Sequence, residues 1–269
     1  MSAPPAEVME AFGATGAPVL LEGGMGRTWR AGDVVLKPVE DVVEHAWVAE
    51  VYDAWSSTEV AVPQPLRSGG AWSYAGWGAH VFVPGATARV GDDPAWFRTT
   101  HESFHEAVAH LDRPSFLDDR DDAWSYGDRV AWDGAAPRGE PRTVALIERA
   151  LDLMKPVDLP SQVVHGDLCV NVLRDGDRPG VIDWPAYHRP RAWALAVVAA
   201  DAIRWEGLDA GLLEAWNDGP DWHQLVLRAI VYRLATRAWL EASGVAVGEE
   251  DGYSVGNEAL LDRVAERLR

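Results

Sequence analysis

The hydrophobic residues of this chain follow two patterns, and the change from one to the other divides the sequence. Residues 18–37 contain short apolar runs separated by glycines, which predicts two strands around a turn. Residues 39–55 carry apolar side chains at helical spacing. These side chains are Val43, Trp47, Val51 and Trp55. Strand-like stretches follow between positions 71 and 85, so the first third is predicted to be a sheet with one helix.

After Pro84 and Gly85, which interrupt regular structure, the pattern is mainly helical. Helices are predicted in the segments 96–111, 143–154, 191–205, 209–216, 221–243 and 257–268. A hairpin-like segment, residues 163–187, interrupts them. A strand-rich third followed by a helical remainder predicts an α+β fold with two lobes. We expect these lobes to comprise residues 1–84 and residues 85–269.

Composition places the chain among ordinary globular proteins. Of its 269 residues, 48% are hydrophobic and 25% are charged. No apolar run approaches the roughly 20 residues that a membrane helix needs, so no membrane partner is expected. The first residues lack a basic cluster before an apolar stretch and do not resemble a signal peptide. A single cysteine, Cys169, excludes an intrachain disulfide and is typical of a reducing cytoplasm, which is the predicted location.

The net charge of −18 argues against a nucleic acid partner, because phosphates would be repelled by most of the surface. The same charge suits a small cationic substrate. It is explained equally by the need for solubility, so the charge alone does not choose a ligand.

Three polar residues in the hairpin-like segment form the most specific pattern of the chain. Asp167 and Asn171 lie in the turn-prone HGDLCVN, after an apolar run, and Asp183 ends the run Val181-Ile182. Two strand ends joined by a tight turn would bring these side chains to one edge of a sheet. Phosphoryl transfer uses a carboxylate to orient the hydroxyl and an amide with a second carboxylate to hold Mg²⁺. Asp and Asn also occur in turns for conformational reasons alone, and the His-Gly prefix and the following Trp184 favour the functional interpretation.

These segments resemble the HGDxxxxN and IDW/IDF motifs of the aminoglycoside phosphotransferase-like family, which includes choline kinases and is related to protein kinases. The resemblance in element order covers nearly the whole chain, whereas the specific motifs cover only about a tenth of it. It implies a bilobal protein-kinase-like fold with a small β-rich N-lobe and a larger, mainly helical C-lobe. It also implies ATP or GTP with Mg²⁺ and a small-molecule acceptor. Oligomeric state cannot be inferred from it.

The resemblance assigns roles to particular residues. Asp167 would orient the acceptor hydroxyl, and Asn171 and Asp183 would bind Mg²⁺. Lys37, one of only two lysines in the sequence, would contact the α- and β-phosphates from the strand-like VVLKP. Such a lysine is held by a helix carboxylate. We favour Glu50 for this pairing, and Glu44 remains an alternative.

The remaining nucleotide contacts are weaker predictions. Gly23, Gly24 and Gly26 would let backbone amides approach phosphate oxygens, although a hairpin turn explains these glycines about as well. Phe82 and Val83 fall where the family's connector lines the adenine pocket.

The chain also departs from the family pattern. Asp183 is followed by Trp184 and Pro185 rather than glycine, and the segment HRPRAWALAV lacks the usual acidic residues. Support for the loop would then have been rebuilt, and Asp201 is a candidate for this role. These departures motivate the alternative that the protein is a catalytically silent nucleotide-binding module. A metal hydrolase has little support, because no histidine-rich ligand set accompanies the two aspartates.

Two further groups of charged residues have open interpretations. Carboxylates of the acidic run 117–124 are candidates for binding an amino sugar or choline-like acceptor, although such a run is more often an exposed loop. They are Asp118, Asp119, Asp121 and Asp122. The arginines Arg228, Arg233 and Arg237 on one predicted helix are expected to pair with acidic residues rather than with phosphate.

Overall fold

The computed structural model describes residues 2–22, 26–245 and 250–268. The chain forms two compact units. The smaller comprises residues 1–88 and 171–184, and the larger comprises residues 89–170 and 185–269. The hairpin segment 171–184 thus packs with the first 88 residues although it follows them by some distance in the sequence. Sheet structure in the smaller unit and helices in the larger one confirm the α+β prediction, whereas the predicted lobe boundary after residue 84 stays a prediction.

The strands and helices have the following bounds. The strands are β1 Val19–Leu20, β2 Trp29–Ala31, β3 Val34–Pro38, β4 Ser73–Tyr74, β5 Trp77–Val81, β6 Ala86–Thr87, β7 Gln162–His165, β8 Val172–Asp175, β9 Arg178–Val181 and β10 Ala186–Arg189. The α-helices are α1 Ala6–Ala11, α2 Val42–Asp53, α3 Pro94–Val108, α4 Ala123–Trp132, α5 Pro141–Leu153, α6 Arg191–Asp201, α7 Leu212–Ala215, α8 Trp222–Ala242 and α9 Glu250–Arg267. A 3₁₀ turn covers Ser115–Asp118, and a π turn covers Ala202–Glu206.

An antiparallel sheet with the strand order β1-β2-β3-β5-β4 forms the first part of the smaller unit. Its segment 18–37, predicted as two strands, contains β1, β2 and most of β3, because the chain reverses between Ala31 and Val34. Gly32 makes this tight reversal possible with a φ of 62°, a left-handed conformation that glycine adopts at little cost. Val8 of α1 and Phe12, which follows that helix, pack against Ala31 and Leu36 of this sheet and complete its core.

The start of helix α2 is set by its N-capping residue, Asp41. The Asp41 carboxylate accepts hydrogen bonds from the backbone N–H groups of Val43 and Glu44, at 2.7 and 3.0 Å, which satisfies two donors of the first turn. The helix therefore starts at Val42 rather than at the predicted residue 39, and it ends at Asp53. Trp55, which the helical spacing included, lies beyond its end.

The second sheet of the smaller unit carries the motif hairpin. Its strands are ordered β6-β8-β9, and Val172 is paired with Val181. Ala61 forms two hydrogen bonds with one edge of β9, opposite Gly180: its N–H donates to the Pro179 carbonyl and its carbonyl accepts from the Val181 N–H, each at 2.8 Å. The hairpin is thus attached to the smaller unit through β6 on one edge and Ala61 on the other.

The larger unit is built around α8, which buries most of its length against α4, α5 and α6. Helix α4 was not predicted, since the acidic run before it was interpreted as a loop and Gly127 lowers its intrinsic helix propensity. A capping box starts the helix: the Asp122 carboxylate accepts from Ser125 N–H, and the Ser125 side chain bonds back to Asp122 N–H. In the same unit, β7 pairs antiparallel with β10. Among the described residues, no helix combines the length and apolar character needed to cross a bilayer.

The contact between α4 and α8 depends on Gly127. A methyl group at this position would lie 2.6 Å from the carbonyl oxygen of Tyr232 and even closer to the Thr236 hydroxyl. We predict that Gly127→Ala lowers the free energy of unfolding by about 1–3 kcal/mol, measured by chemical denaturation, because overpacking outweighs the better helix propensity of alanine.

The control is the same substitution in a Thr236→Ala background. Removing the hydroxyl relieves one contact and leaves the backbone carbonyl in place, so part of the destabilisation should persist. A Gly127→Ala protein as stable as the original would contradict close packing of these helices.

Candidate active site

In the smaller unit, the predicted phosphate-binding lysine and a predicted metal ligand lie together. Lys37 is on β3, opposite Gly78 of β5, and its Nζ donates to the Asp183 carboxylate. Both side chains are partly exposed. A cation suited to phosphate and a carboxylate suited to a divalent metal are therefore adjacent at the end of β9.

Asp183 itself has an unusual backbone conformation. Its φ is 48°, in the left-handed region, which a non-glycine residue adopts at a cost and Asp tolerates better than most. The next residue, Trp184, is buried, and its ring stacks on Tyr52 of α2 at a centroid distance of 5.8 Å. Trp47 of the same helix also packs against Trp184, with the two ring centroids 5.3 Å apart. The Trp-Pro sequence that departs from the family pattern thus anchors the loop to α2.

Asn171 lies beside Asp183 because of the hairpin register. With Val172 opposite Val181, Asn171 faces Ile182, and its carbonyl accepts from the Ile182 N–H at 2.9 Å. The Asn171 side chain is buried, whereas that of Asp183 is 48% exposed. The two predicted metal ligands therefore occupy the same open end of the hairpin.

This pair suits Mg²⁺. An amide oxygen and a carboxylate are hard oxygen ligands, and Mg²⁺ is commonly held by one or two protein groups together with substrate phosphates. Among the described residues, no group of three or more His, Cys, Asp or Glu side chains is placed to hold a metal ion. The buried Tyr52 hydroxyl has no hydrogen-bond partner within the described chain, and burial, with the nearby Asp183 charge, raises its pKa well above the usual value. A neutral donor is thus available near the carboxylate.

The predicted carboxylate partner of Lys37 is not brought to it. Glu50 is exposed on α2, because Ala49 and Tyr52 form the buried face of that helix. The α2 residue that faces the strands is His45, whose ring lies against Gly78 and hydrogen-bonds the Trp72 carbonyl at 3.0 Å. Glu44, the alternative, is half-buried. In this structure Asp183 takes the place that was predicted for Glu50.

The predicted nucleotide-contacting segments are described in part. Gly23 and Gly24 lie outside the described residues, and Gly26 has a left-handed φ of 67°. Phe82 donates its backbone N–H to the Asp33 carbonyl at 2.8 Å, so this group is already used and would not bind a purine. Val83 is buried against Gly180 of β9, where a methyl group would lie 2.7 Å from Val83 Cγ1. Adenine contact at Phe82 and Val83 stays a prediction.

In the larger unit, Asp167 follows β7 and is supported by histidines. Its backbone N–H donates to His165 Nδ1 at 3.1 Å, and the His165 N–H donates to His105 Nε2 at 3.1 Å. Burial lowers the pKa of His105 to about 3, so its ring is neutral and its Nδ1–H donates to the His101 carbonyl at 2.7 Å. His165 thus accepts a hydrogen bond from the backbone of Asp167 through its ring and donates one to His105 through its own backbone. Three residues separate Asp167 from Asn171, one fewer than in the HGDxxxxN pattern.

The Asp167 side chain contacts a residue that sequence analysis assigned differently. Arg233 of α8 donates to Asp167 Oδ1 at 2.5 Å and also holds both oxygens of Asp201, at 3.0 and 2.5 Å. Asp201 was a candidate for loop support, whereas Arg233 was expected to pair with acidic residues without a place in the site. The sequence feature that could have identified Arg233 is its position as a charged residue within the apolar run Ile230–Ala235.

Burial governs the ionisation of two groups near Asp167. It raises the pKa of Asp201 to about 6, an effect that the Arg233 guanidinium opposes and the Asp167 charge increases. Burial, with the charges of Asp201 and Glu206, also raises the pKa of the Cys169 thiol. Cys169 is therefore a buried, protonated side chain rather than a nucleophile.

The acidic run considered for acceptor binding is largely neutralised by arginines of the same unit. Asp118 pairs with Arg113 at 2.7 Å. Asp121 pairs with Arg129 at 3.0 Å, and Asp122 pairs with Arg120 at 2.8 Å. A cavity of about 280 Å³ lies in this region and is lined by both signs of charge. These ion pairs weaken the case that the run binds a cationic acceptor.

Comparison with solved structures shows similarity along nearly the whole chain. A choline/ethanolamine kinase family protein from Mesorhizobium loti has 18% identity and a TM-score of 0.63 over 94% of this chain and 90% of its own. The apo form of a thermostable mutant of aminoglycoside phosphotransferase APH(4)-Ia has 16% identity and a TM-score of 0.65, with 96% and 97% covered. A further variant of that thermostable mutant, in a ternary complex with ADP and hygromycin B, has 15% identity and a TM-score of 0.62, with 97% of each chain covered. These similarities confirm the predicted kinase-like fold.

No curated protein sequence matches the chain. A family model does: the one described as the phosphotransferase enzyme family matches residues 26–226, a span that includes Lys37, Asp167, Asn171 and Asp183. With well over half of its 269 residues matched, this chain belongs to the phosphotransferase enzyme family.

Proposed function

We propose that this protein transfers the γ-phosphoryl group of ATP or GTP, with Mg²⁺, to a hydroxyl group of a small molecule. The observation that carries the proposal is the placement of Lys37 and Asp183 side by side, at the hairpin end that also carries Asn171. Binding of a nucleoside triphosphate with Mg²⁺ requires a cation for the phosphates close to oxygen ligands for the metal ion. Family membership supports the same assignment.

The residues of the smaller unit would bind the nucleotide. Lys37 would bind the α- and β-phosphates, and Asn171 and Asp183 would hold Mg²⁺. The bound ion would neutralise charge that develops on the β- and γ-phosphates during transfer. The Trp184 contact with α2 keeps Asp183 in place before the nucleotide binds, so little reorganisation is needed.

Asp167 would orient the acceptor. Its carboxylate would accept the hydroxyl proton as the acceptor oxygen forms a bond to the γ-phosphorus and the bond to the β-phosphate oxygen breaks, which releases ADP or GDP. In a loose transition state the value of this residue lies mainly in positioning. The hydrogen bonds through His165 and His105 hold its backbone in place for this purpose.

The acceptor is proposed to be a small hydroxyl-bearing molecule. Aminoglycosides, amino sugars and choline-like compounds are the first classes to test, because the chain has a net charge of −18 and one structural relative was solved with hygromycin B. The main alternative is a silent nucleotide-binding module, which the Trp184-Pro185 departure first suggested. That argument for a silent module is weaker in the folded protein, since Trp184 packs against α2 and anchors the loop that carries Asp183.

The nucleotide site predicts a metal-dependent stabilisation. Mg·ATP or Mg·GTP should raise the thermal unfolding temperature, and the increase should require Mg²⁺. Asp183→Asn should abolish the Mg²⁺ requirement and most of the increase, because a metal ligand is lost. Asparagine tolerates the left-handed backbone, and the partly exposed pair with Lys37 contributes little stability of its own.

Asp175→Asn is the matched control, since Asp175 is an exposed aspartate at the other end of the same hairpin. It should respond to Mg·nucleotide like the original protein. No thermal shift with any nucleotide would refute the proposed nucleotide site.

The role of Asp167 predicts a loss of turnover without a loss of nucleotide binding. Asp167→Asn should lower kcat by about a hundredfold or more, the usual contribution of a positioned acid or base, and should leave Mg·ATP affinity unchanged. Phosphorylation of kanamycin, hygromycin B, glucosamine and choline would be followed by ADP release. Asp158→Asn, in an exposed segment before β7, is the control and should retain full activity.

This substitution also separates the enzyme from the silent module. If the unsubstituted protein binds Mg·ATP but phosphorylates no compound, and a cellular effect of the gene survives Asp167→Asn, the protein is a binding module.

A further inference from the structure

Arg233 connects two carboxylates in the core of the larger unit. Its guanidinium bonds to both oxygens of Asp201 and to Oδ1 of Asp167. Arg233 is 7% exposed and Asp201 is 1% exposed. The three side chains come from α8, from the end of α6 and from the loop after β7, so three distant parts of the sequence meet at one cation.

The contacts of the Arg233 guanidinium restrict its orientation. Two parallel bonds to Asp201 fix the plane of the Arg233 group, which a single bond would not do. The Trp205 ring lies 5.0 Å from Arg233 Cζ and covers it from another direction. A group held in this way fixes the direction of any side chain that it binds, and the side chain it binds is Asp167.

Stability alone does not explain this arrangement. Burying charges costs desolvation free energy, and well-packed apolar residues in place of a buried ion network are often as stable or more stable. Two residues close to Arg233 in α8, Val231 and Leu234, are apolar and fully buried. An apolar residue at position 233 would therefore be compatible with the core, whereas only a cation can bind the two carboxylates.

We propose that Arg233 and Asp201 are positioning residues for phosphoryl transfer: Asp201 holds Arg233, and Arg233 holds the Asp167 carboxylate in the direction of the acceptor hydroxyl. This role rests on the proposed function of Asp167. In this role each residue acts through Asp167, and neither is assigned a contact with the reacting atoms. Misplacement of a catalytic group by about 1 Å can lower a rate by about a hundredfold, which sets the expected effect.

The test uses the full chain and does not need the natural acceptor. Phosphate release from Mg·ATP, with water as the acceptor, gives kcat and KM for Arg233→Met, Arg233→Lys and Asp201→Asn. The matched control is Arg237→Met, which removes another buried arginine one turn further along α8, where it pairs with Glu241 at 2.6 Å. Circular dichroism and thermal unfolding report folding of each variant.

We expect Arg233→Met to lower kcat by about a hundredfold with KM for Mg·ATP unchanged, because its proposed effect is on Asp167, which would orient the acceptor. Arg233→Lys should recover part of the loss, since lysine keeps the charge without the planar bidentate geometry. Arg237→Met should keep the original kcat. A merely structural role would lower activity only in proportion to the folded fraction.

The double variant Asp201→Asn/Arg233→Met tests whether Asp201 acts through Arg233. It removes both charges together and so avoids an unpaired buried carboxylate, which keeps the test valid if Arg233→Met alone does not fold. If the pathway is Asp201 to Arg233 to Asp167, the double variant has a kcat no lower than that of Arg233→Met, or, should the latter not fold, about a hundredfold below the original.

Three results would overturn the proposal. One is an equal fall in kcat for Arg233→Met and Arg237→Met. Another is a folded double variant with the original kcat. The third is a change confined to KM. A starting protein that shows no Mg²⁺-dependent nucleotide stabilisation and no phosphate release would instead overturn the proposed function, and the positioning role with it.

Discussion

The packing of Trp184 on α2 is the contact on which the smaller unit's site depends. Asp183 has a left-handed backbone, which a non-glycine residue keeps only when its surroundings hold it there. Trp184 supplies that restraint through its buried ring against Tyr52 and Trp47. Because Asn171 faces Ile182 in the same hairpin, a restraint on Asp183 also keeps the two proposed metal ligands at one end of that hairpin.

Asp167 is held by a different kind of interaction. Its backbone is fixed by neutral histidines, and its carboxylate is fixed by a charged group, Arg233. A neutral ring can be buried at small cost, which suits His105 and His165, whereas the guanidinium needs Asp201 to offset its desolvation. The histidines therefore hold the backbone of Asp167 and Arg233 holds its carboxylate, and only the second interaction requires a buried charge to be offset.

Much of this arrangement could be predicted from local patterns, and the errors have identifiable causes. Helical spacing located α3, α5, α6 and α8, but a glycine and an acidic run concealed α4, which depends on its cap and on α8. Apolar runs merged β2 with β3, because a reversal of only two residues, made possible by Gly32, leaves little polar sequence between them. Glu50 was chosen by its place in the sequence, whereas burial of Ala49 and Tyr52 turns Glu50 to the surface.

The sequence by itself determined the fold class, the family and the chemical types at the site, because these depend on periodicity and on residues close together in the chain. Asp167, Asn171 and Asp183 fall within 17 consecutive positions, so their common segment could be recognised locally. Only the tertiary structure decided that Lys37 meets Asp183 and that Arg233 joins Asp167 to Asp201. These partners are separated by 146, 66 and 32 residues, and only the packing of strands and helices brings them within hydrogen-bonding distance.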